Sequence, residues 1–312
     1  MGSPGFQELL SEMRLRKLKL LTVHLGWVFL LSGLATSPAF GQTASPKVAP
    51  KPFEPGEELV YKAEISRALL RKLDVATFKF TANKTPVDQK SNTADDRGAS
   101  VDPSPYAFKF TGDVSSEGFF IKLFNIHFRQ HVESIVDPQS LAVQKTIKFD
   151  EQGKRVRSSE TIFDRKACKI IWTERDPNNP TRPLRTASSD LSGPVQDVLS
   201  GIYYVRTQEL KVGQSFEVPI SDSGRIYHVP VRALEKKRMK TVLGRVPVVL
   251  VDVQLFGERG MVNTKGQFSI WLTDDQRHIP VSAALKTEYG TFDITLKKAS
   301  HQASQQALLT EQ

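Results

Sequence analysis

One cysteine stands in 312 residues, and that scarcity removes several function classes. A lone thiol closes no intramolecular disulfide and supplies no Cys-rich zinc site, so the fold must be held by its core. As a nucleophile, Cys168 would need an activating histidine that spacing alone does not supply. Flanked by apolar residues in ACKIIW, it reads as a small buried hydrophobe. The chain also lacks HExxH, GxSxG and any glycine-rich phosphate loop, which disfavours hydrolases and nucleotide enzymes of common design. No repeat of fixed period is present. The apolar run from Leu20 to Ala35 carries His24 and falls short of the roughly 20 residues a membrane-spanning helix needs.

What is there begins with an address. Arg14, Arg16, Lys17 and Lys19 form a basic stretch, Leu25 to Leu34 an apolar one, and Ala39-Phe40-Gly41 a small-x-small cleavage pattern. Residues 1–41 therefore read as an export signal peptide cut before Gln42. Met13 opens the basic stretch and offers an alternative natural start. No cysteine follows the apolar stretch, so lipid anchoring at that point is excluded by chemistry.

Lysine and arginine total 43 against 34 aspartates and glutamates, a net charge of +9. Removing residues 1–41 takes four basic and two acidic residues, leaving 39 against 32, or +7. Basic proteins meet nucleic acid, anionic lipid or acidic polysaccharide, and an exported one is not expected to meet nucleic acid. The densest cluster is Lys236, Lys237, Arg238 and Lys240, beside Gly244 and without interleaved aromatics to stack on bases. It reads as a solvated face or hairpin loop, with an anionic envelope surface as the sharper alternative.

Residues 42–55 hold four prolines and read as a Pro-rich linker. From Glu57, the alternation of Leu59, Tyr61, Ala63 and Ile65 predicts a half-buried strand. Leu69, Leu70 and Leu73 then switch toward helical spacing. Residues 83–105 are polar, with three prolines, and read as a flexible insertion. Short apolar runs separated by turn residues such as Asp137-Pro138 and Asp150 to Gly153 describe an antiparallel meander. One principal helix is predicted over about 194–208, with Ser192 as its cap, because Val195, Val198, Leu199, Ile202 and Tyr203 recur at spacings of three and four. Further strands follow from Phe216 to Leu296, and residues 299–312 read as a disordered tail. Residues 56–298 thus form a single, mainly β domain. With ten or more strands, its long antiparallel meander should curve into a barrel or half-barrel, with the helix packed on it or plugging it. Phenylalanine is abundant, 18 residues against three tryptophans and six tyrosines. Core packing is the plain reading of that excess, and an apolar cavity the sharper one.

Little here carries chemistry. His127 and His131 would share a helix face, but on a strand four residues span about 13 Å, too far for one metal ion. Asp274, Asp275, Arg277 and His278 form a close titratable set that could do acid–base work. Consecutive aspartates equally suit a turn, where they accept from backbone N–H groups. Arg206, at the helix end, is predicted to pair with Asp274 or Asp275. No catalytic residue, cofactor or metal is assigned.

Four stretches carry a family resemblance. They are Phe53, Pro55, Gly56, Glu57, Leu59 and Tyr61; Asp197, Leu199, Ser200, Tyr203, Tyr204 and Arg206; Gly213 with the strand after it; and Trp271-Leu272-Thr273-Asp274-Asp275 running to Ile279-Pro280-Val281 and Gly290. Together they resemble the bacterial exported family called domain of unknown function 3108. That family has a glycine in the bend after its first strand, and Leu70 to Val75 here has none. The resemblance implies an exported, mostly β protein of a Gram-negative-type envelope, periplasmic or associated with the outer envelope, with no activity assigned to the family. Three functions follow as expectations. The first is a non-catalytic binding or carrier module for an apolar or lipid-like ligand; the second a structural or assembly factor contacting an envelope protein; the least favoured an unrecognised hydrolase.

Overall fold

The structure is a computed structural model that describes residues 51–67, 70–86, 106–116, 127–258, 260–288 and 290–301. The expected signal peptide and most of the linker lie outside these residues. The alternation after Gly56 becomes β1 (Glu57–Arg67), in which Glu57, Leu59, Tyr61, Ala63 and Ile65 are all buried. The helix-like spacing at Leu70 and Leu73 is strand instead, β2 (Leu70–Pro86). Its pairing with β1 slips at Ala63/Glu64 and at Ile65/Arg67, and each irregularity breaks the period of two. Lys72, with φ of 54°, holds the left-handed conformation in the very stretch that lacks the family's glycine.

Six strands continue the first meander: β3 (Tyr106–Ser116), β4 (Phe128–Val136), β5 (Val143–Gln152), β6 (Arg155–Asp164), β7 (Lys169–Arg175) and β8 (Arg185–Asp190). After helix α1 (Val198–Arg206), a second meander comprises β9 (Ser215–Asp222), β10 (Arg225–Thr241), β11 (Gly244–Val253), β12 (Gly266–Thr273), β13 (Pro280–Thr287) and β14 (Gly290–His301). The first and last strands pair, Ala63 opposite Ile294, and this joins both meanders into one antiparallel sheet of order β8-β7-β6-β5-β4-β3-β2-β1-β14-β13-β12-β11-β10-β9.

Three contacts show how that sheet curls. Leu199 of α1 lies against Gly112 of β3, Asp197 accepts a hydrogen bond from Thr146 of β5, and Gly201 packs on Ile220 of β9. Strands β3 and β9 are eight places apart in the order, so one nine-residue helix touches both only if the sheet wraps around it. The Gly224 turn between β9 and β10 also abuts Ala187 of the opposite edge strand, β8. The result is a rolled, barrel-like sheet with the helix inside, and no hydrogen-bonded ladder between β8 and β9 closes it.

Several boundaries differ from the sequence reading. Strand β2 continues to Pro86, where the insertion was expected from Asn83, and residues 87–105 lie outside the described residues. Strand β14 runs to His301, past the expected start of the tail. The linker's end is packed rather than free: Phe53 is 2% exposed, edge-on to Phe108, Phe110 and Tyr203. The helix begins at Val198, capped by Asp197 and not Ser192, because Gln196 is held extended by a bridge to Ile220. Cys168 is exposed, with φ of 51°, in the turn before β7. Its apolar neighbours belong to β7, whereas Cys168 itself closes a turn organised by Asp164, which accepts from the N–H groups of Lys166 and Ala167.

Candidate functional site

The motif residues meet around one guanidinium. Arg206, the last residue of α1, is 1% exposed, and so is Glu57 at the start of β1. Arg206 donates from Nη1 to Glu57 Oε1 at 2.6 Å and from Nη2 to Oε2 at 2.9 Å, a bidentate pair. Its remaining donors reach the Pro52 carbonyl at 2.9 Å and the Arg277 carbonyl at 3.1 Å. Burial works against the charge, and the hydrogen bonds and charge of Glu57 outweigh it, so the Arg206 pKa is raised above its ordinary value. The cation also lies over the rings of Phe53 and Tyr203, at 5.6 Å and 5.3 Å from their centroids.

The other motif residues fix the elements that carry this pair. Gly56 takes φ of 94° while its N–H donates to the Ala82 carbonyl, a turn that delivers Glu57 inward. Asp197 and Ser200 form a capping box: the Asp197 carboxylate accepts from Ser200 N–H at 2.7 Å, and Ser200 Oγ accepts from Asp197 N–H at 2.9 Å. Tyr203 stacks on Phe110 with centroids 3.9 Å apart, and burial pushes its hydroxyl pKa up, against the Arg206 charge. Tyr204 supplies a carbonyl that accepts from the Thr207 N–H at the helix end, while its side chain packs against the cluster around Val218 and Val249. Tyr61 donates to the Pro280 carbonyl at 2.8 Å, and burial raises its pKa likewise.

The expected pairing of Arg206 with Asp274 or Asp275 does not occur. Asp275 is consumed by its own turn, accepting from Thr273 Oγ1 at 2.8 Å and from the N–H groups of Arg277 and His278. Asp274 pairs with Lys236 at 2.8 Å, and Trp271 lies beneath Lys237, 3.8 Å from Nζ to the ring centroid. The turn still locks onto the helix, by other groups. Arg277 donates to Glu57 Oε2 at 3.1 Å, and His278 Nδ1 donates to the Arg206 carbonyl at 2.8 Å. Both carboxylates that suggested acid–base work have structural partners.

A second region lies on the face turned toward the helix. Opposed residues of an antiparallel pair share a face, so the registers trace rows across the roll. One row runs Ile65, Phe292, Leu285, Phe268, Val253, Val231, Phe216, apolar across seven strands. In the other direction the rows change character. Phe78 is followed by Val114, Gln130, Asp150 and Arg157, and Phe80 by Gly112, Val132, Lys148, Ser159, Glu174 and Arg185. Along these two rows the wall is apolar from β9 round to β3 and turns polar and charged from β5 to β8, whereas nearer the helix the same strands contribute Val143, Phe163 and Ile170 to the core. Arg157 pairs with Asp176 at 2.6 Å, Arg185 with Glu174 at 2.8 Å and Arg155 with Asp150 at 2.9 Å. Half-buried Lys148 has no ion-pair partner among the described residues.

Packing around the helix is uneven. At its C-terminal half, Phe53, Phe108, Phe110 and Tyr203 interlock, so the plain reading of the phenylalanines holds there. Elsewhere Phe78, Val114, Phe128, Phe268 and Leu285 are only half-buried, and Val198 on the helix is 51% exposed. An open depression of about 360 Å³ lies between Asp252, Gln254, Phe256, Gly266 and Phe268. His131, on β4, is held by Asp113 at 2.7 Å and Glu133 at 3.3 Å, while His127 precedes the strand, its carbonyl accepting from Gly153 N–H. Among the described residues, no group of three or more His, Cys, Asp or Glu side chains is placed to hold a metal ion.

This arrangement of helix, buried pair and Trp271 turn can be set against known families. The family described as "Protein of unknown function (DUF3108)" matches residues 77–297. The chain belongs to that family. The DUF3108 match takes in the helix motif, Gly213, the Trp271 turn and Gly290, and it begins within β2, so Phe53 to Tyr61 stand outside it. The Arg206–Glu57 pair therefore ties the matched region to the strand before it.

No curated protein matches the chain. Among solved structures it is similar to a beta-barrel-like protein of domain of unknown function DUF1849 from Brucella abortus, at 9% identity and a TM-score of 0.48, covering 78% of this chain and 97% of that one. It is also similar to a candidate lipoprotein from Parabacteroides distasonis, at 7% identity and a TM-score of 0.28, covering 79% and 96% of the two chains. A candidate exported protein with a YmcC-like fold from Bacteroides fragilis gives 6% and 0.26, with the same coverage. No helix among the described residues of this DUF3108 chain is long and apolar enough to cross a membrane.

Sequence reasoning singled out Glu57, Arg206 and the aspartate turn but joined them wrongly. It missed Arg277 and His278 as partners of the buried pair, and it missed the charged rows of β5 to β8 altogether. The signal for those rows was present, since Lys148, Asp150, Arg155 and Arg157 fall at alternate positions of their strands.

Proposed function

We propose that the protein is a non-catalytic binding module of the bacterial envelope, exported to the periplasm, whose rolled sheet holds a lipid-like ligand. The observation that carries this reading is the unevenly filled interior: apolar rows across β9 to β3 keep Phe78, Val114, Phe268 and Leu285 half-buried, as is Phe128 at the start of β4. Leaving such side chains partly wet forgoes about 25 cal/mol for each Å² of apolar surface a ligand would cover. The charged rows of β5 to β8 that carry Lys148, Asp150, Arg157, Glu174 and Arg185 give the ligand's polar end a place, so an amphiphile fits better than a pure hydrocarbon. The consumption of Asp274 and Asp275 by structural contacts favours binding over hydrolysis.

The test is direct. Protein purified from its exported fraction is extracted with organic solvent, and the extract is analysed by mass spectrometry. An acyl-chain compound in near-stoichiometric amount supports the reading. An empty extract from protein that also takes up no added amphiphile overturns it.

A further inference from the structure

We propose that the hairpin arm of β10 and β11 is a docking surface for an anionic lipid bilayer. The proposal rests on residues remote from the rolled interior and stands whether or not that interior binds a ligand.

The arm is defined by where its neighbours stop. Strand β9 pairs with β10 only as far as Arg232, and β12 pairs with β11 only from Val248 onward. Beyond those points β10 and β11 pair only with each other, from Arg238 opposite Pro247 to Thr241 opposite Gly244. The arm is not loose, because Met239, Leu243 and Val246 pack against the buried cluster of Tyr61, Val248 and Leu296. One side is thus anchored and the rest is presented.

What it presents is charge of one sign with an apolar tip. Between Arg232 and Arg245 the sequence holds six cations, Arg232, Lys236, Lys237, Arg238, Lys240 and Arg245, against the single carboxylate of Glu235. All six cations are exposed; Lys236 pairs with Asp274, and Lys237 lies over the Trp271 ring and 3.9 Å from Glu235, while Arg232, Arg238, Lys240 and Arg245 have no carboxylate partner among the described residues. At the turn Val242 is 52% exposed, an apolar side chain at the farthest point of a basic arm. Cations that approach anionic headgroups while an apolar tip enters the interface are the combination a bilayer surface rewards. No aromatic ring lies between Arg232 and Arg245, which disfavours single-stranded nucleic acid.

A bland role competes. From Leu234 onward β10 pairs on that side with no strand among the described residues, and lysines on such edges prevent strand-to-strand aggregation. Glutamate protects an edge as well as lysine does, so reversing the charge separates the two roles. The full chain and the triple variant Lys237→Glu, Arg238→Glu, Lys240→Glu are sedimented with vesicles of phosphatidylcholine alone or with about a third phosphatidylglycerol. Both proteins share one N-terminus, so any contribution of the apolar stretch at 25–34 cancels. The proposal expects the wild type to favour the anionic vesicles and to release as salt rises. The triple variant should lose at least about 100-fold in affinity, roughly fivefold for each cation removed, while remaining monomeric. Val242→Ser should weaken binding further without altering the salt dependence. Equal binding of wild type and triple variant to anionic vesicles would overturn the proposal. So would wild-type binding to a soluble acidic polysaccharide with none to vesicles.

Discussion

Arg206 Nη1 stands 2.6 Å from Glu57 Oε1, joining residues 149 positions apart where each side chain is 1% exposed. A charge so placed is costly to strand. Removing one partner leaves the other buried and uncompensated, at about 3–5 kcal/mol, whereas replacing both by apolar groups of similar volume is far less damaging. Glu57→Ala should therefore destabilise by about that amount in chemical denaturation, and Arg206→Met with Glu57→Met by much less. Arg206→Lys should not rescue, because one ammonium cannot span the carboxylate and the two carbonyls together. Equal losses in the single and double variants would contradict the account.

The two buried tyrosines should behave differently. Tyr61 donates to the Pro280 carbonyl, while the Tyr203 hydroxyl, fully buried, has no hydrogen-bond partner among the described residues. Tyr61→Phe orphans that carbonyl and should cost about 1 kcal/mol or more. Tyr203→Phe keeps the stack on Phe110 and removes an unmet polar group, so its unfolding midpoint should equal or exceed that of the wild type.

Acid should loosen the sheet at two of its surface carboxylates. Glu58 is held below the ordinary carboxylate range, chiefly by its hydrogen bond from Lys79, against burial, with Lys298 adding on the other side. For Glu133, burial raises the pKa, and Lys109 and His131 lower it by more. A depressed carboxylate pKa stabilises the fold above its unfolded value and loses that contribution as pH falls through the folded value. Each group is partly exposed, so each should contribute no more than about 1 kcal/mol. Urea midpoints from about pH 6 down to pH 3 should fall less for Glu58→Gln with Glu133→Gln than for the wild type.

The strands were legible where the sheet is regular. Leu59 to Ile65 and Phe216 to Ile220 alternate because one face is buried and the other is not. Legibility failed at local irregularities: the slipped pairing beside Leu70, the left-handed Cys168, and the Gln196 bridge that delays the helix to Val198. The partner of Arg206 was out of reach for another reason. Helix-end charge and a nearby acidic turn are local signals, whereas Glu57 is brought in only when β1 pairs with β14 and the sheet rolls around the helix.

The central claim, an interior that accepts an apolar chain, is most directly tested by titrating the folded protein with a neutral fluorophore such as N-phenylnaphthylamine. The account predicts saturable binding at a single site, with the probe displaced by an acyl-chain amphiphile. A folded protein that shows no saturable fluorescence, or that holds the probe unmoved by excess amphiphile, would contradict it.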